Sequence, residues 1–498
     1  MPGLVWKTIN GKRYLVLRWK KRVNGKLKIT REIYIGDIDK LADIIQNPYR
    51  DLDVTSLDYG ISAMTLLINR EMGIKEIIDS VVPHRDNGLS AGDYALIFIM
   101  NRLSDPRSKN GIKEWMRGDF SSTIYGRVTS QGFWNMMDRI SERDIKDIMD
   151  RVKEKLVSRG YDFSKIFVDA SNFYVFMKEN DMAKKGHNKK HRFDLNQVSY
   201  YIASNLEYIP LYGESYPGNI HDSSTFDMII RNVPENAIVI MDKGYNSSHN
   251  ISLMDNRKYI GSLKPSDNTD LIDIPLSEYT DGYYETSKFT LGREHRIVIY
   301  YSNTLRDKQM RNLEDRMSRI IRKCQNILEK GNYDAYDRIN SILENENLNE
   351  TIVVMDGTVT VDNERLNRRI ERMGKTLLFT NIADMSAQEI IDLYKKRNRV
   401  EHCFRTINSM EIAFPVYHWT PHKIRVHMFL SHLAYLFLSL MRFKLKEIND
   451  LYLISTAEVL STIKIVYLRR GKYVDKRLVS SNDRARKVIE KIDLLNIQ

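Results

Sequence analysis

The 498-residue sequence predicts an α/β protein built on a mixed β-sheet. Three observations predict it. Segments between residues 165 and 241 follow the order β, β, β, α, β. The fourth β run, 237–241 (Ala-Ile-Val-Ile-Met), is wholly apolar, of strand length, and opens onto Asp242. Helical patterns dominate on both sides, over about 40–160 and from Ser386 onward. A helix between the third and fourth strands lets the fourth lie parallel to the first, while the first three form an antiparallel meander. Asp169 and Asp242 then fall on neighbouring strands.

Composition sets the class. Lys and Arg number 77 against 65 Asp and Glu, a formal charge of +12, with 42% hydrophobic and 29% charged residues. That apolar fraction supports large buried cores, in two to four domains at roughly 100–200 residues each, and excludes a disordered chain. Cys324 and Cys403 stand in no paired spacing, which excludes a disulfide scaffold or cysteine-rich zinc module and fits a reducing compartment. The longest apolar stretch, 426–443, carries His427, His432 and Arg442, so it reads as a buried core helix rather than a membrane span. No amino-terminal segment has a signal-peptide core, and a soluble, cytoplasmic protein is expected.

Residues 1–31 hold ten Lys/Arg and no acid; the first carboxylate is Glu32. Two β-like runs, 13–23 and 26–35, flank Asn24-Gly25, a strong hairpin signal because both turn positions need positive φ. Such a basic hairpin either contacts a polyanion, releasing counterions, or is a solvated edge whose lysines block aggregation. In the helical stretch that follows, Ser90 is a predicted N-cap and Asp105-Pro106 a stop. Ile145, Ile148, Met149, Val152 and Leu156 form a core stripe closed by Gly160. The sheet segments are 165–169, 198–204 and 209–216, a helix over 223–230, and 237–241. Residues 246–375 break the pattern and read as a β-rich insertion with a long charged helix. The sheet resumes at 375–380, and the Ser386…Glu389 capping box starts a long helix.

Three acids stand out: Asp169 and Asp242 at predicted strand ends, and Glu401 on the helix beginning at Ser386. Their spacings are 242 − 169 = 73 and 401 − 242 = 159. Three carboxylates gathered at one end of a sheet suit two hard divalent cations, which activate an attacking oxygen and stabilise a leaving one in phosphodiester cleavage. Tyr394, Arg397, Glu401, Arg405 and Asn408 recur at steps of 3, 4, 4 and 3, one polar helix face with two guanidiniums flanking a carboxylate, matched to phosphate. Each feature also has an ordinary reading: an Asp at a strand end as a turn residue, Arg397 and Glu401 as a surface pair, and the basic loop 186–192 as solvated. Its histidines, with His221 and His249, lack zinc spacing. Other chemistries are excluded. Gly374-Lys375-Thr376 has Arg369 where a P-loop needs glycine, and Gly213-Glu214-Ser215 has Pro217 where a nucleophile elbow needs one.

Five blocks together resemble the DDE-class insertion-sequence transposases, in the branch with the IS-four and IS-sixteen-thirty-four groups. Residues 167–174 (FVDASNFY) resemble the block of the first acid, and 186–197 (GHNKKHRFDLNQ) the basic loop after it. Residues 216–222 (YPGNIHD) are similar to the family's Pro-Gly-Asn turn, 240–245 (IMDKGY) to its second-acid block, and Tyr394, Arg397 and Glu401 to its Tyr-Arg-Glu-Lys signature. Two positions depart from the pattern. Asn408 stands where the signature lysine belongs, leaving Arg405 or Lys423 as substitutes, and Lys243 replaces the second block's arginine.

The resemblance implies a ribonuclease-H-like catalytic core with a β-rich insertion, preceded by a basic β-hairpin and a helical region. It implies DNA transposition by phosphodiester hydrolysis and strand transfer at terminal inverted repeats. Asp169, Asp242 and Glu401 would hold two magnesium ions, with manganese as a substitute. Lys189, Lys190, Arg192, Lys243, Tyr394, Arg397, Arg405 and Asn408 would contact DNA, with Tyr394 or Trp419 stacking on a flipped base. The expected partners are double-stranded DNA, as element ends and target, and a second copy of the chain in a synaptic dimer; no membrane is involved, and the setting is the prokaryotic cytoplasm. The expected organisation is a basic hairpin over 1–40, a helical DNA-binding region over 41–160, core over 161–245, insertion over 246–375, core with the Glu helix over 376–445, and a helical end over 446–498. The alternatives are a ribonuclease-H-like nuclease without strand transfer and a catalytically inactive DNA-binding relative.

Overall fold

The structure, a computed structural model, describes all residues except 1, 24, 48, 49, 51, 84–87, 187–193, 331, 332, 356, 414, 415, 417, 472, 497 and 498, and the side chains of 23, 40, 44, 222 and 473. The amino-terminal unit is a meander of three strands rather than a hairpin: β1 (Gly3–Ile9), β2 (Lys12–Val23) and β3 (Lys26–Gly36). The expected hairpin is the β2–β3 pair, with Val23 opposite Lys26 and Gly25 at φ 75°; Asn24 lies outside the described residues. The extra strand folds back through Asn10 and Gly11, both at positive φ (50° and 77°). It is a second Asn-Gly turn of the type that joins twisted antiparallel strands, and the one sequence reading passed over.

After β4 (Asp53–Asp58) the described elements are helices as far as residue 158. Ser90 caps the helix Ala91–Ser104 in a full capping box with Asp93. Ile148, Met149, Val152 and Leu156 are buried on the helix Glu142–Ser158, and Gly160 follows at φ 81°.

Next come β5 (Lys165–Val175), β6 (Asn196–Ser204), β7 (Pro210–Pro217), β8 (Ile238–Met241), β9 (Lys258–Ser262), β10 (Tyr283–Thr290), β11 (Arg293–Tyr301), β12 (Ile352–Met355), β13 (Thr358–Val361) and β14 (Lys375–Thr380). Among the described residues they form an eight-stranded sheet in the order β10-β11-β14-β9-β8-β5-β6-β7, with β12 and β13 apart as a hairpin. β8 runs parallel to β5 and β9, and the other pairings are antiparallel. This is the mixed sheet that the strand order predicts.

The insertion boundary is corrected. β9, β10 and β11 belong to the main sheet, so only about 302–374 stands outside it. β9 has five residues and β10 alternates between half-buried and exposed, so neither gives the apolar run of a central strand. The true insertion packs the helices Asn303–Glu329 and Ala335–Asn345 around a core of its own, including Leu313, Ile320, Cys324 and Ile339. The carboxyl-terminal region is also corrected from helical to mixed. β15 (Lys464–Arg470) and β16 (Tyr473–Val479) form a hairpin, and β15 pairs with β4. Ile465 and Tyr467 point inward on alternate positions, a period of two that a helical reading of this basic stretch overlooks.

The apolar stretch is the helix Pro421–Leu445, whose most apolar window is 94% buried inside the protein. Its His432 accepts the Tyr200 hydroxyl at Nδ1, and burial pushes its imidazole down to about 3. His418, buried beside Lys109, Lys423 and Arg102, is likewise pushed down to about 3. In the unfolded chain these rings protonate near the ordinary value of 6.5. Between those values the unfolded state binds more protons, so the stability is complete above pH 6.5 and lost as pH falls toward 3. Each histidine contributes ~1.4 kcal/mol per pH unit in that window. His432→Gln is expected to flatten the acid limb of denaturant-measured stability by about one proton; an unchanged slope would show that His432 charges freely in the folded state.

Candidate active site

The parallel pairing of β5 with β8 runs from Lys165–Ile238 to Val168–Met241. The next residues are Asp169 and Asp242, so the two carboxylates leave adjacent strands at one level, beyond the carboxyl end of β8. Asp169 does not end its strand as expected. β5 continues to Val175 because β6 still pairs with it, and only the parallel neighbour stops. Asp169 is 6% exposed and its Oδ1 accepts the Ala170 amide at 2.8 Å. Asp242 occupies the cap position of the short turn Lys243–Tyr245.

The helix from Ser386 is also corrected: it ends at Lys395, and a second helix, Asn398–Ser409, carries Glu401. The amides of Lys396 and Arg397 bond back three residues, to Leu393 and Tyr394, tightening the backbone into a break. The second helix is docked by its apolar face. Val400, Cys403, Phe404 and Ile407 are buried; Cys403 Sγ lies 3.7 Å from Ser204 Oγ on β6, and the Phe404 ring meets Tyr200 edge-on. Glu401 is left on the open side, its side chain 46% exposed.

Arg397, at the break, joins these acids. Its Nη2 lies 2.9 Å from Glu401 Oε1 and its Nη1 3.5 Å from Asp242 Oδ1, with the guanidinium 5.8 Å from the Tyr394 ring centroid. Burial alone would pull this guanidinium down, but Asp242, Tyr394, Glu401 and Asp169 together hold it above its ordinary value. One cation therefore feels all three carboxylates. Burial raises the Tyr394 phenol. Tyr394, Asp242, Lys243, Ser262, Tyr300 and Thr376 are among the residues lining a cavity of about 560 Å³. The sequence does not point to Ser262 and Tyr300, because β9 and β11 do not read as strands of the main sheet; Thr376 lies on the expected 375–380 strand but carries no motif.

The expected polar face is thus only partly assembled. Arg405 is exposed and Asn408 half-buried, one and two turns beyond Glu401. Lys423 is paired with Asp138 at 3.1 Å. Lys189, Lys190 and Arg192 lie outside the described residues, and Trp419 is 71% exposed.

Among the described residues no three His, Cys, Asp or Glu side chains are gathered closely enough to hold a metal ion. Arg397 instead bridges Asp242 and Glu401. The donor chemistry nevertheless fits a hard divalent cation: three carboxylates act on one positive charge.

The Pro-Gly-Asn turn is locked to the flank of the basic loop. The Gly218 amide donates to Met182 O at 3.1 Å, and Gln197 Nε2 donates to Gly218 O at 2.7 Å. A Cβ at Gly218 would lie 2.0 Å from the Gln197 carbonyl oxygen. Backbone cannot yield cheaply there, so Gly218→Ala is expected to destabilise the protein by about 2–4 kcal/mol. Urea denaturation checks this; a loss under about 0.5 kcal/mol would show that the turn shifts freely.

Comparison with known proteins adds a family. The family described as "Transposase DDE domain" matches residues 160–437. No curated protein matches. Among solved structures, the cryo-EM structure of a piggyBac transposase synaptic complex with hairpin DNA is similar, at 7% identity and a TM-score of 0.40, covering 82% of this chain and 80% of that one.

Proposed function

Because the chain belongs to the transposase DDE-domain family, we propose that it moves an insertion sequence by hydrolysis and strand transfer at terminal inverted repeats. Asp169, Asp242 and Glu401 are the proposed ligands of two magnesium ions. Such ions, when bound, stabilise the attacking and leaving oxygens of an in-line displacement. The observation that carries the reading is the Arg397 guanidinium, which reaches both Asp242 and Glu401 from the break before the Glu401 helix, with Asp169 at the same strand level as Asp242.

In this reading water is the first nucleophile and frees a 3′-hydroxyl at the element end. That hydroxyl then attacks the opposite strand or target DNA, and no covalent protein–DNA bond forms. Arg397 turns from the carboxylates toward a DNA phosphate, for which its planar fork is suited. Lys243 and Arg405 add charge at the rim, and Asn408 a neutral polar contact. Lys189, Lys190 and Arg192 hold the flanking strand. The exposed Trp419 is better placed than the buried Tyr394 to stack on an extruded base. Residues 1–40 and 41–160 are assigned to duplex binding, with the +12 charge supplying attraction. Two copies acting on paired ends complete the proposal.

The test is incubation of pre-cleaved element ends with a plasmid and magnesium. Joined product is expected. Cleavage of intact ends without joining would identify a nuclease, and binding without either reaction a DNA-binding protein.

A further inference from the structure

We propose that an arginine-lined cleft between the main sheet and the helical insertion binds the sugar-phosphate backbone of duplex DNA as it leaves the catalytic cavity. The proposal rests on the transposase reading and assigns a role to a surface outside the three acids. The cleft holds about 760 Å³, walled by the helices Asn303–Glu329 and Asn363–Glu371. Five arginines line it: Arg316, Arg365, Arg368, Arg369 and Arg372.

Three of these have carboxylate partners. Arg368 pairs with Glu364, Arg372 with Asp273 at 2.6 Å, and Arg365 with Asp362 at 3.5 Å. Arg316 and Arg369 differ. Among the described residues Arg316 Nε is buried with no hydrogen-bond partner, and Arg369 donates to the Asn347 carbonyl at 2.7 Å. The two guanidiniums act on each other as like charges; burial and Arg316 both pull Arg369 down, with Glu350 opposing. An anion lying between them would offset the repulsion and satisfy the free donors. A phosphodiester fits, since guanidinium forks match its oxygens.

The path of the cleft selects polymeric DNA over a free anion. Leu305 lines the catalytic cavity, and Gln309, Asn312 and Arg316 line the cleft. Their steps of 4, 3 and 4 put all four on one face of a single helix. At the start of β14, Thr376 borders the cavity from one face of the strand and Lys375 the cleft from the other, so the helix face is what links the two. Lys375 itself is held by the carbonyls of Ile272 and Ile274 at 2.7 and 2.6 Å, leaving the arginines as the available cations.

The test compares wild type, Arg316→Ala/Arg369→Ala, and the charge-matched Arg319→Ala/Arg338→Ala, whose exposed side chains do not line the cleft. Linear duplex DNA is titrated from 50 to 200 mM salt, with thermal melting of each free protein. The cleft variant is expected to bind about tenfold more weakly and to lower the salt slope by about one to two, one per lost phosphate contact. Its melting temperature should stay level or rise as the like-charge contact is relieved. Equal losses in both double variants would overturn the proposal, as a net-charge effect. So would unchanged DNA binding, including the case where millimolar inorganic phosphate stabilises wild type but not the cleft variant, which would mark a free-anion site. A wild type that binds no DNA at all would instead overturn the transposase reading, and this proposal with it.

Discussion

Asp242→Ala is expected to lower cleavage of element ends by at least about a thousandfold, ~4 kcal/mol of transition-state stabilisation, while DNA binding persists. Asp242 sits where β8 ends beside Asp169, and its carboxylate leads the attractive partners of Arg397. Removing it deletes one of the three proposed hard-oxygen ligands and tilts Arg397 fully toward Glu401. The fold should tolerate this, because the Asp242 side chain is 27% exposed and Glu401 still partners Arg397. A suitable control is Asp384→Ala, which removes a 67% exposed carboxylate paired with Lys258 on β9. Single-turnover cleavage of a labelled terminal repeat distinguishes the two. Residual cleavage within tenfold of wild type would show that Asp242 does not carry the chemistry.

Arg397→Ala is expected to make stability depend on divalent cations. In the absence of magnesium the three carboxylates lose their shared counter-charge, a loss of about 1–2 kcal/mol. The figure lies below that for a fully buried pair because Glu401 is 46% exposed and screened by solvent. Added magnesium should then stabilise the variant more than wild type, where it must first displace the guanidinium. Arg397→Lys should fall between, keeping a charge but losing the planar fork. Thermal melting with and without magnesium reads this without any DNA reaction. Equal magnesium-induced shifts in wild type and Arg397→Ala would show that guanidinium and cation do not compete for the same carboxylates.

Much of this arrangement is legible in the residues. The meander of β5, β6 and β7 and the parallel return of β8 follow from short apolar runs separated by turn and helix signals. The Ser90 N-cap and the Ser386 capping box are local chemistry, fixed within four residues, and both form as expected, Ser90 with a full capping box to Asp93 as well. What sequence reading missed depends on distant partners. β9 becomes a core strand only because β8 and β14 offer it edges. β15 becomes a strand because β4, about 400 residues earlier, supplies the pairing. The break at Lys396 and Arg397 carries no Pro or Gly to announce it.

The sequence by itself determined the mixed sheet and the pair of aspartates, because strand period, turn chemistry and right-handed crossover are properties of neighbouring residues and short connections. Only the tertiary structure decided that one arginine pairs with two of the three acids, and that an arginine-lined cleft borders the same helix as their cavity. Both depend on where a helix break and an inserted domain come to rest against the sheet. That placement is set by packing between segments far apart in the chain, which no local pattern encodes.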